Sequence, residues 1–108
     1  MKKIAIVGAG ISGLFFANLL KNNESYSYKI FEKKNSIDFS DGYGIQLSVN
    51  SIKLLNKVGF KNFKSTQLYF PKKVKFFNAK DSKKICDVDL TKFNDENNRY
   101  TTLKRSDL

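Results

Sequence analysis

The 108-residue sequence predicts an α/β fold resting on a parallel β-α-β unit, followed by a β-hairpin and left incomplete. Three observations lead there. A short apolar run, Ile4 to Val7, stops at glycine and opens onto a helical pattern. A second strand pattern, YKIFE, follows within one helix length, and further on two strand-like segments flank a turn-like AKDSK.

Lys3 to Val7 reads as a short buried strand, because Ile4, Ile6 and Val7 form a run bounded by glycine. Ile11 to about Lys21 reads as a helix, apolar on most faces and ended by Asn22-Asn23. Tyr28 to Glu32 completes the β-α-β unit, whose strands should be parallel and whose crossover should be right-handed. Lys33 to Gly44, with Asp38, Ser40, Asp41 and Gly42, is a loop. In SVNSIKLLNKVGF, Ser48 or Asn50 can cap a second helix with Ile52, Leu55 and Val58 on one face. Gly59 stands where a left-handed cap would close it, with Phe60 as the accompanying apolar contact.

The second half changes character. Lys72 to Asn78 and Lys84 to Leu90 read as a hairpin, Cys86, Val88 and Leu90 alternating with Asp87 and Asp89. A polar loop, Asn94 to Asn98, leads to one more strand, RYTTLKR, and Ser106-Asp107 resembles the cap of a helix whose body is absent.

Composition narrows the functions. A hydrophobic fraction of 41% and ten Phe suffice for a packed interior. The stretch Ile4 to Leu20 is interrupted by Gly8, Gly10, Ser12, Gly13 and Asn18, so no transmembrane segment or signal peptide is expected. With one Cys and no His there is neither an internal disulfide nor a protein-built zinc site, and the cytoplasm is the default location. The net charge of +10 invites a nucleic-acid reading, but 18 of the 20 basic residues are Lys, alongside 11 Asn and 8 Ile, the bias of an AT-rich coding sequence. Arginine, which makes bidentate contacts to phosphate and guanine, occurs twice; no nucleic-acid partner is expected.

The chemistry lies in VGAGISG. Gly8, Gly10 and Gly13 follow a predicted strand and open a predicted helix, and Glu32 ends the next strand, nineteen residues after Gly13. That context makes the spacing a Rossmann-like dinucleotide fingerprint. Gly8 permits the tight turn, Gly10 leaves room for a pyrophosphate, and Gly13 lets the helix settle on the sheet, with Ala17 keeping the same face small. The candidate cofactor-binding residues here are Gly8, Ala9, Gly10, Ile11, Ser12, Gly13, Glu32 and Lys33. The helix amino end offers backbone N–H groups and partial positive charge to the pyrophosphate. Glu32 would accept from ribose hydroxyls and repel a 2′-phosphate, favouring FAD or NAD over NADP, with Lys33 and Lys34 as competing charges. The fingerprint does not separate FAD from NAD.

Three segments together resemble the FAD-dependent aromatic hydroxylases, single-component flavoprotein monooxygenases that include the salicylate, para-hydroxybenzoate and ubiquinone-pathway enzymes. They are VGAGISGLFFANLL with IFEKK, GYGIQLSVNSIKLLNKVGF, and TLKRSDL, and they span almost the whole chain in the family's order. The resemblance implies FAD as cofactor, with Gly8, Gly10 and Gly13 at its pyrophosphate, Glu32 at its ribose and Arg105 near its flavin end. It implies a reaction in which NAD(P)H and O2 hydroxylate a small aromatic substrate, chemistry carried by the cofactor. No catalytic residue is therefore expected in this segment. Residues 1–62 would begin the FAD domain, 63–93 would form a hairpin of a second, sheet-bearing substrate domain, and 94–108 would return to the first. Cys86 would be a buried or edge strand residue without catalytic part. The chain departs from the family pattern at Val49, commonly proline, and has no arginine between Phe39 and Gly44. The family's later Gly-Asp motifs fall beyond Leu108, so the segment is expected to be inactive alone and to hold FAD weakly. A non-catalytic NAD-binding module and another FAD-dependent oxidoreductase are the competing readings.

Overall fold

A computed structural model describes residues 1–36, 40 and 42–108. The strands are β1 Lys2–Val7, β2 Tyr26–Phe31, β3 Gly44–Leu47, β4 Lys73–Phe77, β5 Lys84–Asp89 and β6 Thr101–Lys104, and the helices are α1 Ile11–Leu20 and α2 Val49–Leu55. Short 3-10 turns cover Asn56–Val58, Phe60–Asn62, Ser65–Gln67, Leu90–Phe93 and Arg105–Asp107. The strands pair two by two, β1 with β2, β3 with β6 and β4 with β5.

β1 and β2 are parallel, in register from Lys2 opposite Tyr26 to Val7 opposite Phe31, as expected of a β-α-β unit. β2 begins two residues before the expected Tyr28, because Ser25 folds back on the Asn23 side chain and its carbonyl already accepts from Lys2 N–H at 2.8 Å. Alternation then places Ile4, Ile6, Tyr26 and Ile30 under α1, where they pack with Ala17 and Leu20. The opposite face of this sheet is uncovered, with Val7 88% and Phe31 48% exposed. Parallel sheets are ordinarily covered on both faces, so the fold among the described residues is incomplete. The dimensions agree: the radius of gyration is 17.5 Å, against about 13 Å for a compact chain of this length.

A second core forms around Ile52, Phe60 and Leu103, with Ile45, Leu47, Leu55, Phe63, Leu68 and Leu108 against it. β3 and β6 pair antiparallel below α2, and an isolated bridge joins Tyr69 to Thr102. Ser48 is the residue before α2, as expected, but its hydroxyl makes no capping bond to the backbone and instead hydrogen-bonds Asn50 Oδ1. A 3-10 turn prolongs α2, and Gly59 closes that turn in the left-handed region at φ +102°. Phe60 packs in one core with Ile52 and Leu55 of α2, the apolar contact expected after such a cap, and also stacks on Phe63 with ring centroids 4.9 Å apart. Arg105–Asp107 forms a single 3-10 turn where the start of a helix is expected.

The hairpin is present, with β4 and β5 antiparallel and a register shift between Phe76 and Phe77. Val74, Phe76, Cys86 and Val88 share one face by parity, and Lys73, Lys75, Asp87 and Asp89 the other. Asp87 is paired with Lys84 at 3.3 Å and Lys73 at 3.5 Å. Cys86 lies in this two-stranded sheet, where both strands are edges, and its free thiol is exposed rather than buried among the described residues. Of the loop expected over Lys33 to Gly44, Ile37, Asp38, Phe39 and Asp41 lie outside the described residues.

A Cβ on Gly13 would stand 2.1 Å from the Gly8 carbonyl oxygen and 3.3 Å from Ile6 Cγ2. Backbone cannot yield there as a side chain can, so Gly13→Ala should lift α1 from β1 and cost about 2 kcal/mol or more, read as a lower urea midpoint by circular dichroism.

Candidate functional site

The turn between β1 and α1 is shaped by two glycines and one carboxylate. Gly8 takes φ +99°, a conformation other residues rarely adopt, while its N–H continues the sheet by donating to Phe31 O at 2.7 Å. Gly10 precedes α1 in extended backbone, and a Cβ there would meet nothing within 4 Å, so the face of the turn at Gly10 is open. The first intrahelical bond runs from Leu14 N–H to Gly10 O at 3.0 Å. The amides of Ile11, Ser12 and Gly13 therefore belong to the unsatisfied first turn of a ten-residue helix, and that turn carries no acidic side chain. This is the donor set an anionic pyrophosphate requires.

Glu32 stands just beyond β2 and is turned back onto the glycine turn. Its Oε2 accepts from Ala9 N–H at 2.7 Å, and its Oε1 accepts from Lys34 N–H at 3.0 Å. The amides of Lys34 and Ala9 hold its pKa below the ordinary 4.5. Ala9 is buried, its N–H committed to Glu32, so in this arrangement Ala9 helps to build the turn. Lys33 is exposed next to the carboxylate. A carboxylate accepts at about four lone-pair positions, so these two bonds leave Glu32 able to receive further donors.

Arg105 comes from the far end of the chain. Its N–H donates to Tyr43 O at 3.1 Å, extending the β3–β6 pairing by one bond and bringing the residue beside Gly42. Arg105 lines an open hollow of about 390 Å³ together with Gly8, Gly10, Ile11, Ser12 and Gly13. The structure thus gathers the fingerprint glycines and Arg105 around one space, and holds Glu32 to the same turn through Ala9. A neighbouring cleft of about 220 Å³ runs from Gly10 between α1 and the turn after α2, walled by Leu14, Phe15, Val58 and Phe63. Those apolar walls were not expected from the sequence. The signal for them is that α1 is apolar beyond the face that packs on β1, which leaves Leu14 and Phe15 to meet a second element.

A family model described as NAD(P)-binding Rossmann-like domain matches residues 6–39, from the end of β1 through the glycine turn, α1 and β2 to beyond Glu32. No curated protein matches the chain. The chain therefore carries a Rossmann-like dinucleotide-binding segment within a mixed α/β fold. No helix among the described residues is long and apolar enough to cross a membrane.

The lowered pKa of Glu32 fixes the sign of a pH effect. Its two amide bonds stabilise the folded chain fully above the ordinary value of 4.5 and cease to do so as pH falls through the lower folded value. Glu32→Gln should therefore lower the urea midpoint at neutral pH, and the gap from the unsubstituted chain should close as the pH is taken below 4.5.

Proposed function

We propose that the chain binds the adenosine-pyrophosphate half of FAD and forms the amino-terminal part of a flavin-dependent monooxygenase acting on a small aromatic compound with NAD(P)H and O2. The observation that carries this reading is the meeting of Arg105 with the open first turn of α1 in one hollow. A plain Rossmann turn needs only the glycines and Glu32. A cation delivered to it from β6 adds a partner for the phosphate or the polar ring edge of a longer dinucleotide. The three-segment resemblance supports the same direction, since Arg105 lies in the third segment.

The residues fit such a cofactor. Gly10 offers an unobstructed approach, the amides of Ile11, Ser12 and Gly13 are directed to an anion, and the Glu32 carboxylate is held ionised beside the turn. When bound, FAD would supply the redox chemistry; the residues of this chain bind and orient it. In this reading the hairpin β4–β5 belongs to a second domain that carries the substrate, residues 1–62 and 94–108 belong to the cofactor domain, and the protein works in the cytoplasm. The second reading is a non-catalytic NAD-binding module, favoured by the description of the family model over residues 6–39.

Titration of the purified chain with FAD, NAD, NADP and ADP separates the two. The flavin reading expects weak FAD binding, followed by flavin fluorescence and competed by ADP. Arg105→Ala should weaken both FAD and ADP, since the residue lines the hollow at the glycine turn, and FAD by the larger factor. Gly10→Ala should abolish both while costing no more than about 1 kcal/mol of stability, because its Cβ has open space in the folded chain. Tight NAD binding with no effect of FAD, and no effect of Arg105→Ala, would favour the module. Flavin held stoichiometrically through purification would contradict weak holding.

A further inference from the structure

Away from the glycine turn lies a second concave surface, between α2 with its following turns and the loop before β6. It is an open hollow of about 420 Å³ lined by Lys53, Asn56, Lys57, Lys61, Asn97 and Asn98, none of which lines the cavities at the glycine turn. We propose that this hollow binds the phosphate groups of a small polyanion.

The walls are tied together. Asn56, on the first wall, donates through Nδ2 to Asn98 Oδ1 at 3.1 Å and to Asn97 O at 3.4 Å, across more than forty residues of sequence. The loop itself is folded around Asp95, whose Oδ1 accepts from Asn98 N–H at 2.7 Å, Asn97 N–H at 2.9 Å and Asn98 Nδ2 at 2.8 Å. Asp95 is thus engaged in building the loop; Lys53 lies close enough to help lower its pKa, but the two form no direct ion pair among the described residues. Glu96 lines the adjoining hollow, where Arg99 and Lys61 accompany it. Among the described residues the ion pairs fall on Lys73, Lys83 and Lys84, so Lys53, Lys57 and Lys61 take part in none.

Three ammonium groups and amide side chains, with no carboxylate lining, define the ligand's charge. Lysine binds phosphate as a point charge, whereas planar carboxylates are matched best by the arginine fork, which this hollow lacks. One exposed lysine contributes little, so the ligand must engage several at once and carry more than one phosphate. Neither an aromatic ring nor an arginine is present to stack a base, which sets the site apart from a single-stranded nucleic-acid groove.

Two measurements on the 108-residue chain test this, with inorganic tripolyphosphate as probe. In amide-shift mapping by NMR, the titration should perturb residues 53–61 and 97–98. Shifts confined to Gly8–Gly13, or spread evenly over the lysines including Lys75 and Lys80, would overturn the proposal. In calorimetry, the triple change Lys53→Gln, Lys57→Gln, Lys61→Gln should weaken binding about tenfold, and the equal-charge control Lys21→Gln, Lys75→Gln, Lys80→Gln by less than about twofold. Equal losses would overturn it. Phosphatidylcholine vesicles, with and without a phosphoinositide, identify the source of the phosphate. Binding of phosphoinositide vesicles lost in the first variant and kept in the control supports the site with a lipid headgroup; tripolyphosphate binding alone, with the same pattern, supports it with a free anion. If neither probe distinguishes the variants, the proposal fails.

Discussion

The absence of a side chain at Gly13 is the constraint on which the first half of the molecule depends. It lets α1 lie against the Gly8 carbonyl and Ile6, at a distance no other residue permits. That approach brings Ala17 and Leu20 down onto Ile4, Ile6 and Ile30 and so closes the first core. It also sets the amino end of α1 beside the glycine turn, where its free amides form the candidate site. Glu32 reinforces the same geometry from the other strand, since its bond to Ala9 ties the end of β2 to the turn that β1 feeds. Packing and the candidate site are here one arrangement, set by the same few backbone atoms.

The sequence made much of this legible because glycine and apolar periodicity report directly on backbone. The β-α-β unit, the open face at Gly10, the close contact at Gly13, the left-handed Gly59 and the hairpin all follow from local pattern. What escaped depends on which partner a side chain or strand edge chooses, whether two residues away or distant in the chain. The early start of β2 comes from a side-chain turn at Asn23 and a bond to Lys2. The expected cap at Ser48 is lost to a competing bond with Asn50. The commitment of Glu32 to Ala9 and Lys34 is invisible in a spacing of residues, as is the link from Asn56 to the Asn97-Asn98 loop. Of the candidate site, the glycine turn could be read from local pattern; Arg105 came in only through the three-segment resemblance, and the apolar cleft between α1 and the turn after α2 could not be read, because it belongs to neither element alone.

Surface chemistry divides along similar lines. Lysines are numerous throughout, yet they are not equivalent. Those of the hairpin are partly neutralised, Asp87 holding two of them, while those along α2 and its turns face a loop whose asparagines and single aspartate are occupied with each other. The hairpin pairs a charged face with an apolar one that includes an exposed thiol. Composition alone makes the protein basic; the fold decides where that charge is balanced.

The bridge between Tyr69 and Thr102 has a consequence for how such a chain can change over evolutionary time. Reciprocal backbone bonds, Tyr69 N–H to Thr102 O at 2.9 Å and Thr102 N–H to Tyr69 O at 2.7 Å, pinch the chain shut where it departs toward the hairpin and where it comes back. Everything between them is an excursion with a closed neck. Since the entropic cost of a loop grows only with the logarithm of its length, the outer part of the excursion, the β4–β5 hairpin, can be lengthened, shortened or exchanged at small cost. Arg105 keeps its place beside Tyr43 throughout, because its position is set on the near side of the neck. A lineage could thus alter the outlying strands freely while inheriting the glycine turn and Arg105 unchanged.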